Sequence, residues 1–512
     1  MSTDFLLPLA PRLVLRADGN ATIGLGHVMR LLALAELLKA DFQETTFLIQ
    51  TPDPAVRALL HQAGVALVEL PGQTPSVEAN ELPTLLRPTD VLVLDGYSFI
   101  YDYQATTRAA VAHLVCLDDL HAFPFAADLV LNPAGGVLAA QYDLRQLGAR
   151  LLAGPAYAPL RADFQRLPAA LVAPPSHVLL CLGGADPRQL TRTIAAELLA
   201  LPGVAQVHAV VGSAYAAWDE LRAWADGQGP RLTLHRALSA SQLATLMRRC
   251  GAAVLSPSTV SYEYCATSGG LLLLLPTAEN QHDLDHFLRA AGLALPYPTA
   301  PNVLTAAEAP RLAEQLRRAQ RRYFDGQQGP RLRQEVAALQ VPAAPLRLRP
   351  VQAPDSAQLL AWTNDPATRQ QSFDPAPVPL AQHEAWLGSQ LAQPERYLLL
   401  LAEAAETAEP AGLIRFALTT EDEATTQKSV TIATLSYSLA PAYRGRGWAA
   451  PLLLAGTRAV LAAFPQVGRV LGAVKADNVA SVRAFRRAGF AEVAGSGPAG
   501  SRTFAWVAAP AA

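Results

Sequence analysis

A strongly basic segment is missing from this sequence, and charge is sparse throughout. Asp, Glu, Lys and Arg make up 16% of the 512 residues, and the formal net charge is −2. Proteins that bind nucleic acid usually carry a basic patch or a run of Lys and Arg. The sequence therefore predicts no nucleic-acid partner.

Cysteine is scarce as well, and no two cysteines form a CxxC pair. Those present lie in or beside apolar runs: Cys116, Cys181, Cys250 and Cys265. A disulfide framework is typical of short secreted chains with regularly spaced cysteines. We therefore expect buried free thiols.

Long apolar runs are also absent. The longest, such as residues 271–276, are far shorter than the about 20 residues that cross a bilayer as a helix. Residues 1–5 lack the basic start of a secretory signal. We expect a soluble cytoplasmic protein without a membrane partner.

Apolar residues make up 51% of the chain, and short apolar runs alternate with amphipathic stretches. The first series has candidate strands at 12–15, 46–49, 67–70, 91–94, 114–117 and 129–131, with helical patterns at 27–40, 55–63 and 104–111. A second series starts at residue 177 and ends in a helical stretch at 306–339, which we expect to pack back on these domains. Such alternation is typical of doubly wound parallel sheets. We predict two Rossmann-like α/β domains, 1–168 and 169–340, with a cleft between them.

The pattern changes after residues 342–345 (Pro-Ala-Ala-Pro), which we interpret as a linker. Helical segments precede several strands there, and a glycine turn leads into a further helix, strand and helix. This order predicts a third, α+β domain over residues 346–510, which is long enough to fold alone.

The first domain opens with a strand that runs into a loop with Gly24 and Gly26, and a helix begins at His27. Glycine lets the backbone approach a ligand closely, and the start of a helix favours a phosphate. His27 can move a proton near neutral pH. A tight strand-to-helix turn with a histidine in its capping region would show the same pattern.

Residues with polar side chains, and a glycine pair, also follow the predicted strands, where ligands of such folds bind. They are Asp18, Asp95, Tyr97, Gly183, Gly184, Asp186, Ser258, Glu263, Asn280 and Gln281. A carboxylate at Glu263 can accept both ribose hydroxyls of a nucleotide, and the paired amides can hold a phosphate or sugar hydroxyls. Simple helix capping and a capped turn are the structural alternatives at the serines and amides.

Together these residues resemble the UDP-sugar hydrolases of pseudaminic-acid biosynthesis, which are relatives of GT-B glycosyltransferases. The resemblance covers roughly residues 12–325, and its opening motif R-x-D-x(5)-G-x-G-H-x-x-R is carried by Arg16, Asp18, Gly24, Gly26, His27 and Arg30. It implies hydrolysis of UDP-2,4-diacetamido-2,4,6-trideoxy-β-L-altropyranose to UDP and free sugar without a metal.

The same resemblance implies catalysis by His27 and Asp18, where Asp18 either orients His27 or binds a sugar hydroxyl. The implied contacts to the UDP-sugar come from Arg16, Gly24, Gly26, Arg30, Tyr97, Gly183, Gly184, Glu263, Asn280 and Gln281. The sequence departs from the family at Ser258, which stands in a glycine position. A serine there predicts a more restricted approach of the backbone to the nucleotide.

The third domain carries the turn Arg444-Gly445-Arg446-Gly447-Trp448-Ala449 between a strand and a helix, and its successive N–H groups can wrap a pyrophosphate. Further on comes N-x-x-S-x(3)-F-x(3)-G-F, carried by Asn478, Ser481, Phe485, Gly489 and Phe490. Both motifs resemble those of the GNAT acetyltransferases.

This second resemblance implies acetyl-CoA as cosubstrate, with its pyrophosphate on the turn and its other contacts from Asn478, Ser481 and Phe485. Phe485 stands where the family often has a tyrosine acid, which leaves Tyr437 or Tyr443 as substitutes. Acceptor-side segments of the family are resembled by Trp362, Asn364, Asp365, Arg369, His383 and Trp386.

The two halves fit consecutive reactions on one substrate. The acetyltransferase would acetylate a UDP-4-amino-sugar, and the hydrolase would then cut the diacetamido product from UDP. Two alternatives remain: a GT-B glycosyltransferase fused to an acetyltransferase, and an N-terminal half that only binds UDP-sugar as a scaffold. All three predict a UDP-sugar as a ligand and acetyl-CoA as cosubstrate.

Overall fold

The computed structural model describes residues 11–19, 25–165, 173–342, 344–423, 428–495 and 497–510. The chain divides into two compact units, Met1–Gly329 and Pro330–Ala512. In the described parts no helix is long and apolar enough to span a membrane. All four cysteines are buried free thiols.

The first sheet of unit 1 has seven strands, all parallel, in the order β3-β2-β1-β4-β5-β6-β7. The strands are β1 (Arg12–Ala17), β2 (Glu44–Gln50), β3 (Ala66–Leu70), β4 (Val91–Asp95), β5 (His113–Leu117), β6 (Leu129–Asn132) and β7 (Arg150–Ala153). The helices are α1 (Gly26–Leu38), α2 (Pro54–Gln62), α3 (Pro75–Glu81) and α4 (Tyr101–Arg108). The strand order reverses between β1 and β4, which opens a crevice at their carboxyl ends.

The second sheet of unit 1 has six parallel strands in the order β10-β9-β8-β11-β12-β13. They are β8 (His177–Cys181), β9 (Gln206–Val211), β10 (Leu232–Arg236), β11 (Ala252–Leu255), β12 (Leu271–Leu274) and β13 (Leu295–Pro296). The helices are α5 (Leu190–Ala200), α6 (Trp218–Asp226), α7 (Ala240–Arg248), α8 (Thr259–Thr267), α9 (His282–Ala290), α10 (Ala300–Thr305) and α11 (Ala309–Tyr323). Its switch point lies between β8 and β11.

Unit 2 contains a seven-stranded mixed sheet in the order β14-β15-β16-β17-β18-β20-β19. Its strands are β14 (Leu346–Pro350), β15 (Tyr397–Ala404), β16 (Pro410–Glu423), β17 (Lys428–Leu439), β18 (Val467–Lys475), β19 (Ala491–Val493) and β20 (Ser501–Val507). Its helices are α13 (Ser356–Thr363), α14 (Pro366–Gln371), α15 (Leu380–Leu391), α16 (Ala449–Ala463) and α17 (Val479–Arg487), and α12 (Gln328–Leu339) crosses the boundary between the units.

The parallel pair β17 and β18 interrupts this otherwise antiparallel sheet. Their pairing ends at Leu435 opposite Gly472, although β17 continues to Leu439 and β18 to Lys475. The two strands therefore diverge at the middle of the sheet and leave a notch. The glycine turn that follows β17 leads directly into α16.

The predicted fold class is confirmed: two Rossmann-like parallel sheets are followed by a mixed α+β sheet of the GNAT type. Alternation of buried runs was a sufficient signal for the central strands, because these are apolar on both faces. The sequence interpretation missed β7, β14 and β20, which begin with or contain arginine at exposed or half-buried positions.

The stretch 306–339 was expected to pack on the first two domains, and only part of it does. Ala309, Ala313 and Leu316 of α11 lie in the core of the second sheet. In α12, Ala338 lies in the core of the third sheet, and the Gln334 amide donates to the Val507 carbonyl at 3.0 Å. The chain can switch between the two cores because a Gly-Pro step at 329–330 lies near the start of α12.

Candidate functional site

His27 is the second residue of α1 and lies beside the carboxyl end of β4. Its Nδ1 is 2.7 Å from Oδ1 of Asp95, the last residue of that strand. Arg30, one helical turn later, donates from Nε to Asp95 Oδ2 at 2.8 Å and from Nη2 to Oδ1 at 2.6 Å. Residues three apart share one face of a helix, so α1 presents both side chains to the same carboxylate.

Asp95 is fully buried and remains ionised. Burial by itself would raise its pKa, but the charge and hydrogen bonds of Arg30, together with His27, lower it below the usual value. An ionised acceptor at Nδ1 favours the tautomer with its proton on Nδ1, which leaves Nε2 of His27 free to accept a proton. The His27 side chain is 21% exposed, so a ligand can reach it.

Tyr97 and Asp119 complete the mouth of this site. The Tyr97 ring meets the His27 ring edge-on at 5.0 Å, and its hydroxyl lies 3.5 Å from Asp119 Oδ2. Arg30 donates from Nη1 to Asp119 Oδ1 at 2.6 Å. Arg30 is thus shared between two carboxylates, and it holds these acids in place instead of offering a free cation. Tyr97 is 48% exposed, as expected of a ligand contact.

Arg16 and Asp18 occupy different positions from those the resemblance implied. Arg16 is 1% exposed and binds both Glu78 oxygens, at 2.6 and 2.7 Å, and both Asp18 oxygens, at 2.5 and 2.9 Å. Asp18 also accepts from the Gln50 backbone N–H. Among the described residues, the carboxylate bonded to His27 is Asp95 and not Asp18. Arg16 lies too deep to contact a ligand, so we correct that assignment to positioning of Asp18.

The second switch point is flanked by the turn after β8 and the start of α8. Gly183 has φ +98°, which favours glycine, and a Cβ there would meet open space. Asp186 in the same turn caps α5 by accepting from the backbone N–H groups of Leu190 and Thr191. Ser258 precedes α8 with φ −157°. That is ordinary extended backbone, so the restriction expected from a serine in the glycine position does not arise from backbone strain.

Glu263 lies on α8 and is 3% exposed. Its Oε1 accepts from Arg161 Nε at 2.9 Å and Nη2 at 2.7 Å. Burial raises the pKa of Glu263, and Arg161 partly opposes this shift. Within the described ranges no side chain donates to Oε2 of Glu263.

The remaining predicted contacts of unit 1 differ in what the structure shows. Gly184 packs against Gly212, whose N–H donates to the Gly184 carbonyl at 2.7 Å. Gln281 accepts from the Thr277 backbone N–H at 2.7 Å, which is the capped turn named as an alternative. Gly26 starts α1, and Asn280 lies in a short 3₁₀ turn. Gly24 lies outside the described residues.

The glycine turn of unit 2 begins with an anchored arginine. Arg444 donates to Asp365 at 2.6 Å, to the Thr368 hydroxyl at 2.9 Å and to the Leu439 carbonyl at 3.2 Å. Gly445 and Gly447 have φ +74° and +79°, with open space around each Cβ position. The Arg444 side chain therefore binds groups of the protein itself, which leaves the backbone N–H groups of the turn as the candidates for a ligand contact.

The rest of the turn is exposed and aromatic. Arg446 lies over the Tyr443 ring at 5.4 Å, and the Trp448 ring is 4.7 Å from the same ring. The helix α16 begins at Ala449. The Tyr443 hydroxyl donates to Glu409 at 3.0 Å, which ties it to the start of β16.

Tyr437 lies at the notch instead. It lies two residues after Leu435, the last residue of β17 that pairs with β18. Its hydroxyl is 3.0 Å from the Ser481 hydroxyl of α17. Burial raises the pKa of Tyr437, so the hydroxyl stays protonated. Asn478 accepts from the Ser481 backbone N–H and thereby caps α17. Of the two substitute tyrosines, the structure places Tyr437 where the strands diverge.

Phe485 is a core residue and not a ligand contact, which corrects the implied assignment. It is 1% exposed, its ring stacks on Phe504 at 5.2 Å, and its tip lies against Gly472. Glycine at position 472 is needed because a Cβ there would lie 2.4 Å from the Phe485 ring. The Phe485 ring therefore packs against Gly472, where the pairing of β18 with β17 ends.

The predicted acceptor-side residues mostly hold the protein together. Trp362 is buried, Asn364 exchanges two hydrogen bonds with the Val378 backbone, and Arg369 binds backbone carbonyls. His383 is 2% exposed, its ring lies 5.6 Å from Trp386, and its Nε2 has no hydrogen-bond partner in the described part of the chain. Trp386 in turn lies under the guanidinium of Arg415, at 5.0 Å.

Several functional candidates were not assigned from the sequence. Asp95 was recognised as a strand-end acid but not as the partner of His27, and Asp119 and Arg161 were given no role. Strand-end position was the available signal for the two aspartates. Arg415 carried no signal, since a single arginine inside a strand pattern resembles any solvated side chain. Within the described ranges, no group of three or more His, Cys, Asp or Glu side chains could hold a metal.

Comparison with known proteins gives a family match for one of the two units, unit 2. A curated relative, an uncharacterised protein of Methanocaldococcus jannaschii, is 23% identical over 219 residues, or 41% of this chain. The chain spans 44% of that relative's length. Similar solved structures include an aminoglycoside acetyltransferase in complex with coenzyme A (20% identity, 32% of this chain, 94% of that chain, TM-score 0.27). Another is a spermidine N-acetyltransferase from Vibrio cholerae in complex with CoA and spermine (16% identity, 32% and 95%, TM-score 0.27).

A family match covers β14 to β18 of the third sheet and the helices between them. Residues 345–491 match the Acetyltransferase (GNAT) domain family. These residues include the diverging strands, the glycine turn and the caps of α17 described above. The C-terminal unit of this chain therefore contains a GNAT acetyltransferase domain.

Proposed function

We propose that the chain is a bifunctional enzyme that acetylates a UDP-4-amino-sugar and then hydrolyses the diacetamido product to free sugar and UDP. The observation that carries the second activity is His27, whose Nδ1 is held by the buried carboxylate of Asp95 at a Rossmann switch point. The first activity is supported by the GNAT domain in the same chain. The sugar of the resembled hydrolases, UDP-2,4-diacetamido-2,4,6-trideoxy-β-L-altropyranose, is the substrate we propose for hydrolysis.

In the acetyltransferase, acetyl-CoA supplies an activated acetyl thioester, and the sugar amine attacks its carbonyl carbon. The N–H groups of residues 444–449 at the start of α16 suit the pyrophosphate of the cosubstrate. Tyr437 carries a proton at the notch and can give it to the departing thiolate. The unit otherwise acts by alignment of amine and thioester, since the amine can lose its proton to water.

In the hydrolase, Nε2 of His27 takes a proton from the attacking water, and Asp95 stabilises the imidazolium that forms. The anomeric C–O bond breaks, and UDP leaves as an anion that needs little protonation. Backbone N–H groups at the start of α8 and in the Gly183 turn suit the charge of the leaving group. In this proposal Glu263 accepts a ribose hydroxyl, and Tyr97 contacts the sugar or the diphosphate.

The direct experiment is to incubate the full chain with the UDP-4-amino-sugar, with and without acetyl-CoA, and to follow both products. We expect acetylated UDP-sugar first, and free UDP only in reactions that contain acetyl-CoA. No acetyl transfer would refute the first activity, and acetyl transfer without UDP release would refute the second. UDP release that needs an added sugar acceptor would indicate the glycosyltransferase alternative.

The scaffold alternative, in which the N-terminal half binds UDP-sugar without hydrolysing it, is tested by measuring hydrolysis of pre-acetylated UDP-sugar. Gly447→Trp fills the turn of unit 2 and is expected to abolish acetylation while hydrolysis of pre-acetylated UDP-sugar continues. His27→Ala is expected to abolish that hydrolysis while acetylation continues. Absence of hydrolysis by the wild-type chain would favour the scaffold.

A further inference from the structure

An exposed, hydroxyl-bearing face of the sheet lies beside the notch of unit 2. Leu435 and Tyr437 of β17 pack with the core that contains α16 and α17. Since side chains alternate along a strand, Thr434 and Ser436 lie on the opposite face, where both are exposed. Ser436 directly follows the last residue of β17 that pairs with β18. The Thr434 and Ser436 hydroxyls therefore lie on either side of the last paired residue, at the point where the strands diverge.

Arg415 lies beside these hydroxyls. It lies opposite Ser436 in the β16–β17 register, and its Nε donates to the Ser436 hydroxyl at 2.6 Å. Its guanidinium lies 5.0 Å above the Trp386 ring of α15. The side chain is thus held on one side by a hydroxyl and on the other by an aromatic face.

This cation has no counter-ion among the residues that the structure describes. No Asp or Glu in the described parts of the chain pairs with Arg415, whereas Arg347, Arg349 and Arg444 of the same unit each bind a carboxylate. Burial, with no nearby carboxylate to offset it, lowers the pKa of Arg415. A partly desolvated, unpaired cation is unfavourable unless a ligand supplies the negative charge.

We propose that Arg415 is the specificity residue for the acceptor of the acetyltransferase and binds a phosphate group of that acceptor. The bond from Nε to Ser436 leaves Nη1 and Nη2 free, and a guanidinium binds phosphate oxygens through two parallel hydrogen bonds. A diphosphate held there places the rest of the acceptor within about one strand spacing of the notch. The inference rests on the proposed function, since the diphosphate would be that of the UDP-amino-sugar.

The test compares two acceptors with the full chain: the UDP-4-amino-sugar, and the neutral methyl glycoside of the same 4-amino-sugar. For Arg415→Gln we expect the KM of the UDP-sugar to rise about 10- to 100-fold. The kcat, the KM of acetyl-CoA and the rate with the methyl glycoside should stay within about threefold of wild type. Arg415→Lys should recover part of the loss, because lysine keeps the charge but not the two-pronged geometry.

Arg396→Gln is the matched control, because Arg396 also lies over an aromatic ring, that of Tyr397, at 5.8 Å. It should leave both acceptors unaffected. Inorganic pyrophosphate should inhibit wild-type acetylation in competition with the UDP-sugar and lose this effect in Arg415→Gln. If UDP inhibits and pyrophosphate does not, the uridine and not the phosphate is recognised, and the inference is wrong.

An equal loss for both acceptors, or a raised KM for acetyl-CoA in Arg415→Gln, would also overturn the inference. Failure of the proposed function gives a different result, since the wild type would then not acetylate the UDP-amino-sugar at all. In that case the comparison is made between glucosamine 6-phosphate and glucosamine. A preference for the phosphorylated amine that depends on Arg415 supports the inference, and equal rates or no transfer to either refute it.

Discussion

The acids and the arginine around His27 set its tautomer and its orientation. A histidine at the start of a helix is common, but here a buried carboxylate bonds Nδ1 and an arginine holds that carboxylate from its other side. Such an arrangement fixes both the tautomer and the direction of the ring. Asp95 is therefore the positioning residue of the proposed hydrolase, and it does not touch the substrate itself.

Replacement of Asp95 tests this assignment. An asparagine at position 95 can donate to Nδ1, which places the proton on Nε2 and removes the base. For Asp95→Asn we expect kcat of UDP release from pre-acetylated substrate to fall about 10²- to 10⁴-fold. Asp18→Asn is the matched control, and it should retain far more activity because Asp18 binds Arg16 and the Gln50 backbone. Equal losses in both variants, with unchanged circular dichroism, would contradict the assignment.

The acid of the acetyltransferase is a second residue-scale question. For Tyr437→Phe we expect kcat of acetyl transfer to fall about 100-fold, with little change in KM, because the thiolate loses its proton donor. Burial raises the pKa of Tyr437 above its usual value of about 10, so the wild-type rate should not decline through deprotonation of this hydroxyl up to about pH 10. Tyr443→Phe should act like wild type. Steady-state rates across pH 6–10 provide the check, and equal effects of the two variants would exclude Tyr437.

His208 gives unit 1 a pH-dependent stability. Burial, with repulsion from His235, Arg249 and His177, lowers the pKa of His208 to about 4 from the ordinary 6.5. Between these values the unfolded chain binds a proton that the folded chain does not, so the free energy of unfolding falls as pH falls through this window. This pH-dependent change in the free energy of unfolding is of the order of 2–3 kcal/mol, and His208→Gln should remove it.

Urea unfolding of unit 1 at pH 4.5 and pH 7 measures this dependence. His61→Gln on α2 changes an exposed histidine and should leave the difference in unfolding free energy between the two pH values unchanged. If His208→Gln keeps the wild-type difference in unfolding free energy between the two pH values, His208 is not the group responsible.

At the scale of elements, the start of α16 depends on a helix distant in sequence. The glycine turn needs positive φ at two positions, and its first residue is tied to α14 by the Arg444–Asp365 ion pair at 2.6 Å. The notch is created in the same region, because β17 and β18 stop pairing while both continue. A short motif thus becomes a binding element only when α14 holds it beside the diverging strands.

We expect Asp365→Asn to raise the KM for acetyl-CoA about three- to tenfold with little change in kcat. Asparagine still caps α14, so the variant removes the charge of the pair and preserves the cap. Arg347→Gln removes an ion pair between β14 and β15 and serves as the control. A KM for acetyl-CoA equal in Asp365→Asn and wild type would show that the pair does not position the turn.

At the scale of the molecule, α12 belongs structurally to the acetyltransferase unit. Gln334 bonds the Val507 backbone in both directions, at 3.0 and 2.9 Å, and Arg331 donates to the Ala508 carbonyl at 2.8 Å. A Cβ on Gly489 would lie 2.8 Å from the Gln334 carbonyl, so the helix also packs closely on the turn before β19.

We therefore expect a fragment that starts at residue 330 to melt about 10 °C higher than one that starts at 345, within the predicted linker region. Removal of α12 leaves backbone groups of β20 and the following residue without their partners. Gln334→Ala in the longer fragment should account for part of the difference. Equal melting temperatures of the two fragments, followed by circular dichroism, would show that α12 does not stabilise this unit.

The sequence by itself determined the fold class and the location of the main motifs. Buried parallel strands are near-continuous apolar runs, and glycine turns at strand ends are local features, so both can be detected in a single chain. His27, Tyr97, the turn at 444–449 and Ser481 were identified in this way. The arginine-containing strands β7, β14 and β20 were missed because their pairing partners stabilise them, and those partners are distant in sequence.

Only the tertiary structure decided which polar residues meet. Asp95 rather than Asp18 bonds His27, Arg16 and Phe485 are buried, and Arg415 lies over Trp386 with no carboxylate partner among the described residues. Each of these facts depends on side chains brought together from separate strands and helices, and burial sets their charge states. Residue spacing carries no information about such contacts, which is why the sequence predicted the motifs and the structure assigned their partners.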